Sequence, residues 1–200
     1  MYSGKSPGSQ PKVVAAMVDL LDPNQADIVL EIGGGGGWQT GILGCLAQEV
    51  YSVEINFPLA KKAKTRLDAL GIHNVHVVSA DGTMLFTKPK VFDKIIVSAS
   101  LPPFPQENPA GQDLFTALKV GGRMVVPFGG IDGQPENCVL MALRKRNNGR
   151  IVEESHFDGY SFVPIEGILW PAFTGWSIAI LHDVCVNKFD PHRVSAPPEE

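Results

Sequence analysis

Cysteine is scarce in this sequence and poorly placed for shared chemistry. The three cysteines, Cys45, Cys138 and Cys185, are far apart and odd in number, and none belongs to a CxxC or a Cys/His cluster. That pattern speaks against a disulfide framework or a zinc site, so buried apolar thiols are expected. The five histidines are scattered and none is assigned to catalysis. A long apolar run is lacking, as is a charged–apolar–small leader pattern, so no membrane partner is expected and the chain reads as cytoplasmic. Positive charge is not in excess: the formal net charge of −4 gives no bulk attraction to nucleic acid. No G-x-x-x-x-G-K-[ST] occurs, which excludes a P-loop. A length of 200 residues with 44% hydrophobic content suits one α/β domain with a real core, spanning residues 1–200.

Glycine, in contrast, is concentrated at one place. Ile28-Val29-Leu30-Glu31-Ile32 is a short apolar β-type run, and five consecutive glycines, Gly33 to Gly37, follow it. A helix-compatible segment comes next, and this strand–turn–helix context makes the turn a nucleotide-site candidate. A second β-type run ends in Glu54, 21 residues after Gly33. A carboxylate at the carboxyl end of a neighbouring parallel strand is placed to accept both ribose hydroxyls of an adenosine. The dinucleotide pattern G-x-G-x-x-G/A does not fit, because its last position falls on Trp38 or Gln39. The pattern that does fit is E-x-G-x-G-x-G, carried by Glu31, Gly33, Gly35 and Gly37. It resembles the motif of class I methyltransferases that use S-adenosyl-L-methionine and release S-adenosyl-L-homocysteine.

Taken in order, Ser9-Gln10-Pro11 opens a helix, with Ser9 expected as N-cap and Val13, Val14, Met17, Val18, Leu20 and Leu21 as its apolar stripe. Asp22-Pro23-Asn24 stops it. A helix over residues 39–47 is expected to bury Ile42, Leu43 and Leu46. Another over 58–70 is expected to turn Leu59, Ala63, Leu67 and Leu70 inward, with Lys61, Lys62, Lys64 and Arg66 on a solvated face. Strands are expected at 28–32, 50–54, 75–79, 93–99 and 123–127, with a short helix at 114–118 and a turn at Gly121-Gly122. Pro102, Pro103 and Pro105 are expected to form a loop at the cofactor edge. Residues 138–143 and 151–157, joined by Arg146-Asn147-Asn148-Gly149, read as an antiparallel hairpin. Residues 177–186 read as one more strand and 187–200 as a flexible tail. The expected architecture is α/β: a doubly wound, Rossmann-like, mostly parallel sheet with an antiparallel edge. Ligands in such sheets bind beyond the carboxyl ends of the strands. Gly33–Gly37, Glu54, Asp81-Gly82 and Ser98–Pro103 are all expected there.

From Ser9 to Ile165 the chain resembles the protein-L-isoaspartate O-methyltransferase family. Ser9-Gln10-Pro11, Val29-Leu30-Glu31-Ile32-Gly33, Gln39-Thr40, Ser52-Val53-Glu54 and His73-Asn74-Val75 carry the likeness. Asp81-Gly82, Phe92-Asp93-Lys94-Ile95-Ile96-Val97, Leu118-Lys119-Val120-Gly121-Gly122 and Phe162-Val163-Pro164-Ile165 continue it. The resemblance implies methylation of isoaspartyl carboxyl groups in damaged proteins and peptides. It also implies that Glu54 holds the ribose, that Asp81 and Gly82 border the adenine, that Gly33, Gly35 and Gly37 line the methionine end, and that Glu31 belongs to the same cofactor site. Ser9 would stand beside the carboxylate being methylated, and Val163 and Pro164 would wall the substrate. Where the family usually reads Gly-Gln-Thr-Ile before its serine, this chain has Lys5-Ser6-Pro7-Gly8, and where the family usually carries a longer N-terminal segment this sequence begins eight residues before Ser9. Two other readings of the residues stay open: a different carboxyl or peptide acceptor, and a non-catalytic S-adenosylmethionine-binding protein.

Overall fold

The strand Ile28–Ile32 (β1) sits at the centre of a seven-stranded sheet with the order β3-β2-β1-β4-β5-β6-β7. In this computed structural model the described residues are 10–83, 91–101, 114–129 and 138–163. The other strands are Glu49–Glu54 (β2), Val75–Ser79 (β3), Phe92–Val97 (β4), Leu118–Gly129 (β5), Cys138–Lys145 (β6) and Ile151–Tyr160 (β7). Pairing from β3 through β5 is parallel, and β5-β6 and β6-β7 are antiparallel. The expected doubly wound sheet with an antiparallel edge is therefore present. The proline loop after residue 101, the strand expected at 177–186 and the tail at 187–200 lie outside the described residues.

Three helices cover the parallel part: Pro11–Leu21 (α1), Trp38–Leu46 (α2) and Phe57–Ala69 (α3). β1 is buried along nearly its whole length, as a central parallel strand must be. Because successive side chains alternate between faces, two apolar layers form. Leu30, Ile32, Val53, Ile95, Val97, Met124 and Val126 fill one. Val29, Val50, Ile96 and Val125 fill the other, together with Val14, Met17, Val18 and Leu21 of α1, Leu43 of α2, and Phe162.

Several expectations change. The cap of α1 is Gln10, not Ser9, and it makes no side-chain cap bond. The reason is that Pro11 already holds the first helical position, and the Gln10 carbonyl accepts from the Val13 and Val14 amides at 2.8 and 3.1 Å. Leu46 and Leu70 are exposed rather than inward, Leu70 at 73%, and Cys45 is exposed while Cys138 is buried. Ile42 is half-buried, packed against the second layer. Ala60, rather than Leu59 or Leu70, joins Ala63 and Leu67 on the buried face of α3. The Gly121-Gly122 turn lies inside β5, where the register against β4 shifts between Phe92 and Lys94. A Cβ on Gly122 would lie 2.8 Å from the Asp93 carbonyl oxygen, so glycine is required for that bend. Residues 114–117 form one helical turn leading into the strand.

The chain runs from β1 outward to β3 and then returns to β4 on the other side of β1. The order thus reverses between β1 and β4, the place where ligand crevices open in such sheets. α1 is oriented by its end. Lys94 Nζ, near the amino end of β4, donates to the Leu21 and Asp22 carbonyls at 3.1 and 2.7 Å. The carboxyl end of α1 is thereby fixed at the amino edge of the parallel strands.

Candidate active site

The turn after β1 is built from backbone requirements. Gly33, Gly35 and Gly37 have φ of 84°, 54° and 83°, the left-handed region that disfavours side chains. The Gly33 amide donates to the Val53 carbonyl at 2.8 Å, which ties the turn to β2. A Cβ on Gly37 would meet Ala63 of α3 at 3.0 Å, so this glycine lets two helices approach. A Cβ on Gly35 would meet nothing within 4 Å: this residue faces open space. Gly34, an unspecified position of the motif, is the most constrained of the five. A Cβ there would lie 2.0 Å from Ser52 Oγ.

Beneath the turn lies Glu31, fully buried. Its Oε2 accepts from Thr40 Oγ1 at 2.5 Å and Ser52 Oγ at 2.6 Å, and its Oε1 accepts from Gln39 Nε2 at 3.1 Å. Burial pushes the Glu31 carboxyl above the usual carboxylate range, and the donors from Ser52, Thr40 and Gln39 counteract that rise without cancelling it. Gln39 Nε2 also donates to Ser98 Oγ at 2.9 Å, which links the turn to the end of β4. Sequence reasoning named Gln39, Thr40 and Ser52 only as parts of a resemblance. Their work as donors to one buried acid was legible only through tertiary placement.

Glu54 closes the β2 side and is largely buried. Its Oε2 accepts from the Gly35 amide at 2.8 Å and its Oε1 from the Asn56 amide at 2.8 Å. Asn56 in turn caps α3, accepting from the Leu59 amide at 3.1 Å. The carboxylate is thus held by the glycine turn and by the entry to a helix, and each oxygen keeps a further lone pair. Arg66, expected to be merely solvated, donates to the Gly36 carbonyl at 3.0 Å and braces the turn from outside. Trp38, directly after the glycines, is 64% exposed.

Beyond β3, Asp81 and Gly82 are buried. Asp81 Oδ1 accepts from the Thr83 amide at 2.8 Å and from Thr83 Oγ1 at 2.7 Å, a local Asx turn. A Cβ on Gly82 would lie 2.6 Å from Ile32 Cγ2, so that glycine packs against the end of β1. On the other side the Val163 carbonyl accepts from the Ser100 amide at 2.9 Å, just past β4. Glu31, Gly33, Gly35, Gly37, Glu54, Asp81, Gly82 and Val163 all stand at one edge of the sheet. Ser9 and Pro164 lie outside the described residues. Among the described residues no group of three or more His, Cys, Asp or Glu side chains is arranged to hold a metal ion. No described helix is long and apolar enough to cross a membrane.

The family model for protein-L-isoaspartate(D-aspartate) O-methyltransferase matches residues 3–168. The protein-L-isoaspartate O-methyltransferase of Petrotoga mobilis is 40% identical over 160 residues, covering 80% of this chain and 70% of that protein. Its counterpart from Geobacter metallireducens is 41% identical over 159 residues, covering 80% and 68%. A solved protein-L-isoaspartate O-methyltransferase is similar with a TM-score of 0.66 and 27% identity over 80% of this chain, which spans 48% of that enzyme's length. A solved precorrin 8W decarboxylase from Methanobacterium thermoautotrophicum shares the architecture alone, with a TM-score of 0.53 and 20% identity over 75% of this chain and 89% of that one. On these grounds the chain belongs to the protein-L-isoaspartate(D-aspartate) O-methyltransferase family, whose members are S-adenosylmethionine-dependent enzymes.

Proposed function

We infer that this chain transfers a methyl group from S-adenosylmethionine to the carboxyl group of isoaspartyl residues in proteins and peptides, a repair reaction. The observation that carries the reading is the convergence of the glycine turn and Glu54 at the β1–β4 crevice of a chain in this family. The residues suit the cofactor. Gly35 faces open space, and Glu54 retains acceptor capacity for two ribose hydroxyls. Asp81 and Gly82 stand one strand further out, on the side proposed for the adenine. Glu31 serves the methionine end through the turn it supports.

When bound, S-adenosylmethionine supplies an electrophilic methyl group. The acceptor carboxyl, with a reference pKa of about 4, is ionised at neutral pH and needs no general base. The protein's task is then alignment. Attraction between the reactants weakens as their charges diminish, so a neutral donor orients the carboxylate better than a cation that would hold it fast. In this reading Ser9 is that donor, and Val163 and Pro164 wall the acceptor.

The test is methylation of an isoaspartyl peptide and of the matched aspartyl peptide with labelled S-adenosylmethionine. Labelling of the isoaspartyl peptide alone is expected. Equal labelling of both, or labelling of neither despite cofactor binding, overturns the substrate assignment. Ser9→Asp sharpens it. Its charge repels the incoming carboxylate, so peptide methylation should collapse while cofactor affinity holds.

A further inference from the structure

Basic charge gathers at one end of the antiparallel hairpin. Arg144, Lys145, Arg146 and Arg150 stand close together, and no Asp or Glu occurs from Cys138 to Val152. In a chain of net charge −4 this is a local reversal of sign. Arg144, Lys145 and Arg146 line one cavity of about 500 Å³, together with Gly121, Asn147 and Asn148. The cavity lies where β6 ends beside the start of β5, at the amino edge of the parallel strands. The crevice at the glycine turn opens at the carboxyl edge, so the two places are separate.

The walls of the cavity are held by specific bonds. Arg144 Nη1 donates to the Gly121 carbonyl at 3.1 Å, and its Nε donates to Glu154. Glu154 also accepts from Arg123, so one carboxylate answers two guanidiniums. Lys145 is buried, and its Nζ donates to the Phe115 and Leu118 carbonyls at 2.6 and 2.8 Å. The turn beyond is closed mainly by its own main chain. The Arg146 amide donates to the Arg150 carbonyl, and the Gly149 amide to the Arg146 carbonyl, both at 2.8 Å. Asn148 Oδ1 accepts from the Arg150 amide at 3.1 Å. These turn bonds use neither the Arg146 guanidinium nor the side-chain nitrogens of Asn147 and Asn148. All three residues are exposed, so those donors are accessible to a ligand.

The donors name the ligand. Cations that are merely solvated spread apart, because like charges repel; here they converge on one space. Guanidinium forks match the oxygens of phosphate groups, and amide N–H groups add neutral donors. Three cations around one cavity suit an anion of more than one charge. The volume falls within the small-molecule range of about 300–1,000 Å³, so there is room for more than one phosphate group. None of the lining residues is aromatic, so the phosphates are the part recognised.

We propose that the cavity at the β6–β7 turn is a binding site for a small polyphosphate, free or carried by a nucleoside, separate from the methyl-transfer crevice. It stands independently of the cofactor reading.

The test is calorimetry with tripolyphosphate and with adenosine triphosphate at fixed ionic strength, in the absence and presence of saturating S-adenosylhomocysteine. Tripolyphosphate should bind the wild-type protein at one site, and S-adenosylhomocysteine should leave that binding unchanged. Arg146→Glu should weaken it by about tenfold or more, because a charge-assisted contact becomes a repulsion. Lys62→Glu makes the same change of charge on the exposed face of α3 and should alter it by less than about twofold. Tighter binding of adenosine triphosphate supports a nucleotide as occupant, and equal binding supports the phosphate chain alone. Equal weakening by the two variants reduces the effect to overall charge and overturns the proposal. Displacement by S-adenosylhomocysteine places the anion in the crevice and overturns it, as does no binding at millimolar concentration. A single-stranded oligonucleotide that binds where tripolyphosphate does not makes the surface a nucleic-acid contact and overturns it as well. In the wild-type protein the amide resonances of Gly121, Asn147 and Asn148 should shift most on adding tripolyphosphate. Shifts centred elsewhere overturn the assignment without any variant having to fold.

Discussion

Within β1 a carboxylate is fully buried and answered by neutral donors, whereas along β5–β7 a carboxylate lies near the surface and is answered by cations. Glu31 is fully enclosed and receives hydroxyls from Thr40 and Ser52 and an amide from Gln39. Glu154 on β7 receives Arg123 Nε at 2.8 Å and Arg144 Nε. Burial pushes the Glu31 carboxyl up. Burial also acts upward on Glu154, but the bond from Arg144 and the charges of Arg123 and Arg144 outweigh it and hold that carboxyl below its usual range. Neutral donors hold Glu31 beneath the turn without a paired cation, while the cations Arg123 and Arg144 serve a carboxylate on the antiparallel edge.

The comparison breaks most severely at Glu31. Glu31→Leu leaves two hydroxyls and an amide without their acceptor, each costing about 1–3 kcal/mol. The total is comparable to the whole stability of a typical domain. Urea denaturation should show a variant that is barely folded. A loss under about 1 kcal/mol would mean that the cluster contributes little. Glu31→Gln retains polarity and sharpens the point through pH. Because the folded carboxyl titrates above its unfolded counterpart, the folded state holds that proton more tightly. Wild-type stability therefore falls relative to Glu31→Gln as pH rises from the ordinary carboxylate range through the folded value. Parallel stability–pH curves for the two proteins would contradict this.

Next in size is Gly34→Ala. Its Cβ would lie 2.0 Å from Ser52 Oγ, and overpacking of this kind costs about 1–3 kcal/mol. Adding Ser52→Ala should recover part of that loss. A double variant as unstable as the sum of the two single changes would show that the clash is elsewhere. Glu54→Ala should weaken S-adenosylhomocysteine binding by about 1.5–3 kcal/mol through loss of charge-assisted bonds. Unchanged affinity by calorimetry in a folded protein would take Glu54 out of the site.

Gly34 also marks the boundary of what the sequence reveals. Gly33, Gly35 and Gly37 are legible because their need is local, a backbone at positive φ. Gly34 has no such φ; it is required by Ser52 on the neighbouring strand, a contact that no spacing rule encodes. The same holds for Gln39, whose value lies in bonds to residues 8 and 59 positions away. Strand identities were legible from β-type runs, and β1 and β3 occur at their expected bounds. Helix faces were less so. Leu70 follows the apolar spacing of α3, but the helix ends at Ala69 and leaves it in solvent. Ser9 was legible as a helix opener but not as the cap, since Pro11 at the first helical position moves that role to Gln10.

The smallest effect is expected at Glu154. Its side chain is 24% exposed, and its partners Arg123 and Arg144 are 21% and 30% exposed. Ion pairs that reach solvent contribute only about 0.2–1 kcal/mol, because side-chain ordering and salt screening offset the attraction. Glu154→Gln should therefore lower stability by less than about 1 kcal/mol, and leave S-adenosylhomocysteine affinity unchanged, since the pair lies on the antiparallel edge. The sign of its pH dependence is opposite to that of Glu31. A carboxyl held low in the folded state stabilises above its unfolded titration range, and that contribution is lost as pH falls through the folded value. The difference between wild type and Glu154→Gln should thus be present at neutral pH and vanish in acid, and it should shrink in high salt. A loss of several kcal/mol that ignores salt would place Glu154 among the buried, structurally required acids. The contrast between the two halves of the sheet would then fail.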